Sequence, residues 1–412
     1  PTSWRTRSKN NWGRLGMKFE WKEVELSEIA DLTVGFVGTM TRHYTDEGVL
    51  FLRSTNIEPF NIKMDDIKYI SPEFNEQIKK SELKTDDVVI VRTGKPGACT
   101  VIPPKDEPWN CSDLVVIHPN KEKVNPYYLA AYINLASGVI NANLVGAVQQ
   151  HFNVGSAKKM KIQLPSLQIQ NRIASIIQGL NKKIALNNKI NDNLEQQAEA
   201  LFKAWFFDYL AFGGEIPQEW TNSTIEELTS LVSRGIAPKY TEDSDQVVIN
   251  QKCIRDHRID LSLARTHTPK KMNEKWLQFG DLLINSTGEG TLGRTAQVWF
   301  NPEKMTVDSH VTIVRPKSKE LIYYIGFWGL LHEREIESLH TGSTGQTELP
   351  RERIKAMELV VPDQETLAKF NAIVQPMTGT IINNQIQNNK LAALRDALLP
   401  KLMAGEIDIW NH

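Results

Sequence analysis

Cysteine is scarce in this chain: Cys99, Cys111 and Cys253 are three among 412 residues, an odd number with no Cys-x-x-Cys pair. That usage leaves neither a disulfide framework nor a zinc ribbon. Apolar runs are short as well. None reaches the eighteen or so residues of a membrane span, and no stretch has the basic, apolar and small-residue order of a secretory signal. The expected compartment is the cytoplasm, with no membrane contact. Neither sign of charge dominates, because 48 Lys and Arg against 49 Asp and Glu give a formal net charge of −1. A protein that coats nucleic acid wholesale is normally basic. Nucleic-acid binding would therefore rest on a local basic surface, or on partners that supply most of the phosphate contacts.

Catalytic signatures are equally thin. There is no G-x-x-x-x-G-K-[ST] to cradle a triphosphate, and no G-x-G-x-x-G follows a strand and opens a helix. Asn125-Pro126-Tyr127-Tyr128 comes within one residue of the Asn-Pro-Pro-Tyr loop of amino-methyltransferases. Without the second proline it reads as a helix start, with Asn as N-cap and Pro at the first helical position. Pro72-Glu73 with Glu82-Leu83-Lys84 meets a loose nuclease template for holding magnesium. A solvated charged loop satisfies the same spacing. The nine histidines are scattered, with no H-E-x-x-H, so metal catalysis has little support.

What the chain does have is a repeated pattern. With 24% charged and 41% hydrophobic residues it suits a soluble globular protein, and its length suits two or three domains. Every seventh residue of one run reads Ile173, Leu180, Asn187, Leu194 and Leu201, interleaved with Ile177, Ile184, Asn191, Ala198 and Trp205. These are the a and d positions of a coiled-coil seam. Moving 197 residues along gives Phe370, Met377, Asn384, Leu391 and Leu398, interleaved with Val374, Ile381, Asn388, Arg395 and Leu402. Two helices of about 35 to 40 residues, each roughly 55 Å long, therefore share one register. Asn187, Asn191, Asn384 and Asn388 form a polar layer that fixes the alignment.

The remainder is duplicated too. Trp21-Lys-Glu-Val-Glu-Leu answers Trp220-Thr-Asn-Ser-Thr-Ile, Asp87-Val-Val-Ile-Val-Arg-Thr-Gly94 answers Asp281-Leu-Leu-Ile-Asn-Ser-Thr-Gly288, and Leu164-Pro165 answers Val361-Pro362. A repeat near 200 residues is a domain duplication rather than a solenoid. Short apolar runs predict strands at 49–52, 88–91, 114–117, 247–249, 282–284 and 311–314. Pro400 is expected to end the second helix near Leu399. An antiparallel pairing is the economical topology. The predicted fold class is α+β, with two similar strand-rich domains at opposite ends of a long antiparallel two-helix coiled coil, related by a pseudo-two-fold axis. The boundaries are a leader at 1–16, a first strand-rich domain at 17–164, a long helix at 165–212, a second strand-rich domain at 213–362, and a long helix with its tail at 363–412.

The loops carry the groups that grip nucleic acid. In the first repeat the candidates are Arg42, His43, Tyr44, Arg53, Asn56, Arg92, Lys95, Gln149 and Gln150; in the second they are Arg234, Lys239, Tyr240, Asn250, Lys252, Asn285, Ser286, Thr287, Arg294, Ser343, Thr344 and Gln346. Arginine and lysine match guanine O6 and N7, asparagine and glutamine match adenine N6 and N7, and the amides of glycine-rich turns suit phosphates. Each loop taken alone is also a plain turn. Their recurrence at equivalent places with different side chains suggests two readers built alike and set to different words. A coiled-coil scaffold whose domains bind other proteins remains the alternative. Phe202, Phe206 and Phe207 read either as an exposed docking surface or as packing against a neighbouring domain.

Asn187-Asn-Lys-Ile-Asn-Asp-Asn-Leu194, Ala200-Leu-Phe-Lys-Ala-Trp-Phe-Phe-Asp208 and Leu394-Arg-Asp-Ala-Leu-Leu-Pro-Lys-Leu-Met-Ala-Gly-Glu-Ile407 resemble the conserved regions of the specificity (S, HsdS) subunits of type I restriction–modification enzymes. The resemblance implies a non-catalytic subunit that reads a split target in double-stranded DNA. It also implies docking of two methyltransferase (M) subunits on the helices, with restriction (R) subunits added. No cofactor is expected on this chain; S-adenosylmethionine, ATP and magnesium are implied for the partner subunits.

Overall fold

The structure, a computed structural model, describes residues 21–94, 96–143, 153–270, 274–288, 290–342, 347–407 and 409. The leader expected at 1–16 lies outside them. The chain forms two compact units, one of residues 1–186 with 387–412 and the other of residues 187–386. The division cuts through both long helices, so each unit is a strand-rich body plus half of each helix.

In the first unit a four-stranded antiparallel sheet runs in the order Cys99–Val101, Val88–Val91, Leu114–Pro119, Ala30–Val34. A strand with both faces covered reads as a continuous apolar run rather than an alternating one, and Val88–Val91 is buried at every position. Val88 and Ile90 pack on the helix Pro126–Asn143 and on Ile169, Ile173 and Ile177 of the first long helix. Val89 and Val91 face the other way, onto Leu52, Ile57, Leu83 and Ile102. Each such enclosed side chain is worth about 1.5–3 kcal/mol of burial. The second layer is a five-stranded sheet in the order Tyr44–Thr45, Lys68–Ile70, Val49–Leu52, Trp109–Cys111, Glu82–Leu83, whose pair Val49–Leu52 and Trp109–Cys111 is parallel. Asn125 caps the helix as the sequence predicts: its Oδ1 accepts the N–H groups of Tyr127 (2.9 Å) and Tyr128 (3.1 Å).

The second unit repeats the plan. Its four-stranded sheet has the order Thr229–Arg234, Val311–Pro316, Leu282–Asn285, Thr295–Gln297. Leu282 and Ile284 face the helix Ile322–Leu331, whereas Leu283 and Ile313 face Ile249 and Cys253 beneath a smaller sheet. Tyr128 donates its hydroxyl to Gln163 O in one unit, and Tyr324 to Val360 O in the other. All six predicted strands are present.

The long helices are Leu167–Phe206 and Gln364–Met403, 40 residues each and about 60 Å in length. Within the first unit Arg172 Nε donates to Ile409 O (3.0 Å) and Arg395 Nη1 to Asn181 Oδ1 (3.1 Å), so one helix rises in number as the other falls. The second unit shows the same antiparallel sense, with Asn384 Nδ2 donating to Asn191 Oδ1 at 2.9 Å and the rings of Trp205 and Phe370 6.1 Å apart. Asn187 is fully buried and Asn388 half-buried.

One expectation needs correction. Pro400 does not end the second helix, because Leu399, Leu402 and Met403 are buried in the first unit's core and hold the last turn in place. The stop comes at Gly405, whose φ is +67°. Glu406 N–H then bonds Lys401 O and Gly405 N–H bonds Leu402 O, a left-handed glycine cap. Of the two readings open for the phenylalanines, packing holds for Phe202 and Phe206: they lie at 2% and 7% exposure among Tyr324, Phe327 and Phe370 of the second unit. Phe207 alone of the three faces solvent.

Candidate nucleic-acid interface

In the second unit the segment after strand Thr229–Arg234 turns at Gly235. A Cβ there would lie 1.9 Å from Val307 O, so only glycine fits. The loop beyond it is laced to the strand Arg265–Thr266. Tyr240 bridges His267, Thr241 N–H donates to Thr266 O (3.2 Å), and Thr268 N–H donates to Lys239 O (2.7 Å). Exposed on this frame are Lys239, Tyr240, Arg265 and Lys270. Lys270 Nζ donates to Ala237 O (2.6 Å) and Lys275 Nζ to Gly235 O (3.1 Å). The Arg265 guanidinium lies 3.6 Å over the Tyr240 ring. Partial burial raises the Tyr240 pKa, which keeps the phenol protonated and able to donate.

Beside this patch, the turn after strand Leu282–Asn285 places Thr287 Oγ1 2.7 Å from His310 Nδ1. Arg234 is held by Glu348 (2.7 Å) and by Leu349 O (3.0 Å). In the first unit the corresponding turn has Thr93 Oγ1 donating to Asp113 Oδ2 at 2.6 Å, with Arg92 3.2 Å from Asp113 Oδ1. The threonine is common to both, and its partner is exchanged.

The sequence candidates separate by burial. Arg42, Lys239, Tyr240 and Lys252 are exposed; His43, Tyr44, Arg53, Arg92, Arg234, Asn250, Thr287 and Arg294 are half-buried. Among these, His43 stacks on Phe74 (3.9 Å, 9° between planes), Tyr44 packs edge-on against Phe51, and Arg53 is paired with Asp66 at 2.9 Å. Asn250 accepts Lys252 N–H (2.9 Å) and donates to Leu263 O (3.1 Å). Asn56, Asn285 and Ser286 are enclosed, which corrects their assignment as readers. Asn56 bonds Arg53 N–H and the carbonyls of Lys63 and Asp65, Asn285 donates to Gln251 O, and Ser286 Oγ lies 2.5 Å from Thr312 Oγ1. A base edge cannot reach them; they hold the loops in shape. Lys95, Gln149, Gln150, Ser343, Thr344 and Gln346 lie outside the described residues.

Sequence reasoning missed Arg265, Lys270 and Lys275. The basic tract Arg265-Thr-His-Thr-Pro-Lys-Lys271 was a usable signal. Of the nuclease template, Glu73 stands exposed on a short helix, and Glu82 accepts from Asn75 Nδ2 (3.2 Å) in a relay that continues to Asn110. Among the described residues no three His, Cys, Asp or Glu side chains come together to hold a metal ion, and no helix is long and apolar enough to cross a membrane.

Two like units with polar loop rims, sharing a pair of antiparallel helices, define a duplicated recognition protein. The chain belongs to the type I restriction modification DNA specificity domain family, whose model matches residues 19–196 and again 217–393. It is 30% identical over 277 residues to the type I restriction enzyme MjaIX specificity subunit of Methanocaldococcus jannaschii, an alignment covering 61% of this chain and 62% of that protein. The HindI specificity subunit of Haemophilus influenzae is 22% identical across 94% of this chain and 100% of its own length. The crystal structure of the type I restriction–modification S subunit from M. genitalium has the same fold, with a TM-score of 0.53 at 14% identity over 94% of this chain and 97% of that one.

Proposed function

We propose that this chain selects the DNA target of a type I restriction–modification assembly. Each strand-rich unit reads one half of a split double-stranded sequence, and the two long helices, which run through both units, set the gap and dock the methyltransferase subunits. Catalysis belongs to those partners and to restriction subunits, and S-adenosylmethionine, ATP and magnesium are theirs to bind.

One observation carries this reading: the two units keep one loop framework and exchange the side chains on it. Thr93 faces Asp113 where Thr287 faces His310. A protein-binding scaffold has no need of two differently lettered copies of one rim, whereas a split asymmetric DNA target does. The test is selection from a DNA library of random sequence by the chain assembled with its methyltransferase subunits. Two fixed half-sequences at one fixed gap are expected, with an affinity that falls steeply with salt. Deleting one heptad from each helix should shorten the gap by roughly 10 Å, about three base pairs, and leave both half-sequences intact. Recovery of no preferred sequence, or altered half-sequences at an unchanged gap, would overturn the proposal.

A further inference from the structure

We infer that Arg265, whose guanidinium lies over the Tyr240 ring, is a guanine-reading residue for one half of the target. The inference rests on the DNA-reading function proposed above and names a residue and a base for it.

Most arginines of the described structure are already committed. Arg53 is paired with Asp66, Arg92 with Asp113, Arg234 with Glu348, Arg258 with Asp192 and Glu195, and Arg315 with Asp281. Arg395 also lies over a ring, 4.7 Å from Phe60, but its donors go to Asp396 and Asn181. Arg265 is exposed, sits 3.6 Å over the Tyr240 ring, and its guanidinium has no hydrogen-bond or ion-pair partner among the described residues. Stacking fixes the plane of a guanidinium without using its N–H groups. The outer edge therefore keeps two parallel donors free, the geometry that matches guanine O6 and N7 in the major groove. Because the platform orients the side chain before binding, little rotamer freedom is lost on contact.

The surroundings suit that role. Tyr240 is held by its bridge to His267 and by the Thr241 to Thr266 bond. Lys239 and Lys270 stand exposed on the same pair of segments, placed for the phosphate contacts that position a reader without carrying sequence.

The first unit supplies an internal control. Strand pairing sets Lys68 opposite Phe51 and Arg265 opposite Val248, and sets Tyr44 opposite Ile70 as Tyr240 is opposite His267. Tyr44 and Lys68 are thus the structural counterparts of Tyr240 and Arg265. There the cation is lysine, paired with Asp66 at 2.7 Å, and the tyrosine leans on Phe51. At these two positions a tyrosine occurs in both units, whereas the cation beside it is an ion-paired lysine in the first and an arginine without an ion pair in the second.

The experiment repeats the library selection with the full chain in its methyltransferase complex, comparing wild type with Arg265→Ala, Arg265→Lys, Tyr240→Ala and Tyr240→Phe. Wild type should select a guanine at one position of one half-sequence. Arg265→Ala should lose roughly 5- to 150-fold of discrimination at that base pair alone. Arg265→Lys, which keeps the charge, should lose discrimination there with an unchanged salt slope. Tyr240→Ala should weaken the same column, and Tyr240→Phe, which keeps the ring, should not. If Arg265→Ala lowers affinity equally for all sequences and flattens the salt slope by about one, Arg265 contacts phosphate and the inference is wrong. An unchanged selection overturns it too. A wild-type complex that selects no sequence would instead defeat the functional reading beneath it.

Discussion

Replacing Arg315 alone should damage the second unit far more than replacing Arg315 and Asp281 together. Arg315 meets Asp281 through two bonds of 2.7 Å, Nε to Oδ1 and Nη2 to Oδ2, and also donates to Glu274 O (3.0 Å) and Trp276 O (2.7 Å). Asp281 accepts a further bond from Gln278 N–H at 2.8 Å, and the two side chains are only 11% and 1% exposed. Burial nonetheless pushes the Asp281 pKa above its ordinary value, outweighing the pull of Arg315. A carboxyl whose folded pKa is raised binds protons more tightly in the folded state, so its effect on stability is most favourable below its unfolded pKa and declines as pH rises through the folded value. Replacing a buried ion pair as a whole by apolar residues is commonly neutral or stabilising, whereas removing one partner is not.

Arg315→Met leaves Asp281 buried without its cation, which costs about 3–5 kcal/mol against a total domain stability of about 5–15 kcal/mol. For a unit of this size that lowers the melting temperature by roughly 6–20 °C. The loss should shrink on acidification, as the unpaired Asp281 carboxyl, which burial already pushes up, takes up its proton. Asp281→Val with Arg315→Met should return to within about 1 kcal/mol of wild type. Calorimetry gives the melting shift, and amide exchange in strands Leu282–Asn285 and Val311–Pro316 localises it. A single variant within 1 kcal/mol of wild type, or a double variant as unstable as the single, would refute the reasoning.

His267 occupies the place that Ile70 holds in the first unit; both are fully buried, and His267 Nε2 has no hydrogen-bond partner among the described residues. His267→Ile should therefore stabilise the second unit by about 1 kcal/mol, read as a higher denaturation midpoint. The hairpin of strands Ile254–Arg255 and Arg258–Ile259 is tied to the first long helix by Arg258, which meets Asp192 at 2.6 Å and also Glu195. Arg258→Ala should speed amide exchange in the hairpin by several-fold, since two half-exposed pairs are worth about 1 kcal/mol, and leave the helix protected. At the same hairpin, the Glu333 carboxylate 3.3 Å away holds the His257 pKa above the ordinary imidazole value. This contribution is fully present below pH about 6.5 and is lost as pH rises through the folded value. Hairpin protection should fall over that range, and His257→Gln should remove the dependence.

The long helices and the central strands were readable because their burial is periodic or complete. Apolar residues at every seventh position line up along one side of a helix and have to be covered by a second helix, and a run such as Val88–Val91 announces a strand covered on both faces. The smaller sheets were not readable. Tyr44–Thr45 and Glu82–Leu83 are two residues long, and the parallel pairing of Val49–Leu52 with Trp109–Cys111 joins segments nearly sixty residues apart, so neither leaves a local pattern. Pro400 misled for a related reason: a local rule about one missing hydrogen bond was outweighed by the burial of Leu399, Leu402 and Met403. Composition located the loops of the candidate interface but could not say which of their polar groups turn inward. Asn56 and Ser286 look like Arg42 and Lys239 in a sequence, and only the enclosed environment of the first pair distinguishes framework from surface.

The pairs that differ between the units follow one rule. Asp87 and Asp281 each accept a backbone N–H three residues upstream, Lys84 N–H at 2.6 Å and Gln278 N–H at 2.8 Å, and it is their partners, His118 and Arg315, that have changed. Thr93 and Thr287 occupy one place in the turn, and Asp113 and His310 opposite them have changed. Tyr44 and Tyr240 share a strand-edge position, beside Lys68 in one unit and Arg265 in the other. The residue common to each pair is bound into backbone or sheet, so altering it would disturb the fold. The exchanged residue alters charge and hydrogen-bonding pattern with the backbone left in place. Where the exchanged residue is exposed, as Arg265 is, such variation changes what a surface recognises at little risk to folding, whereas the buried Arg315 must keep Asp281 paired; the exposed kind is what two domains require if they must sit on the same helical pair and read different bases.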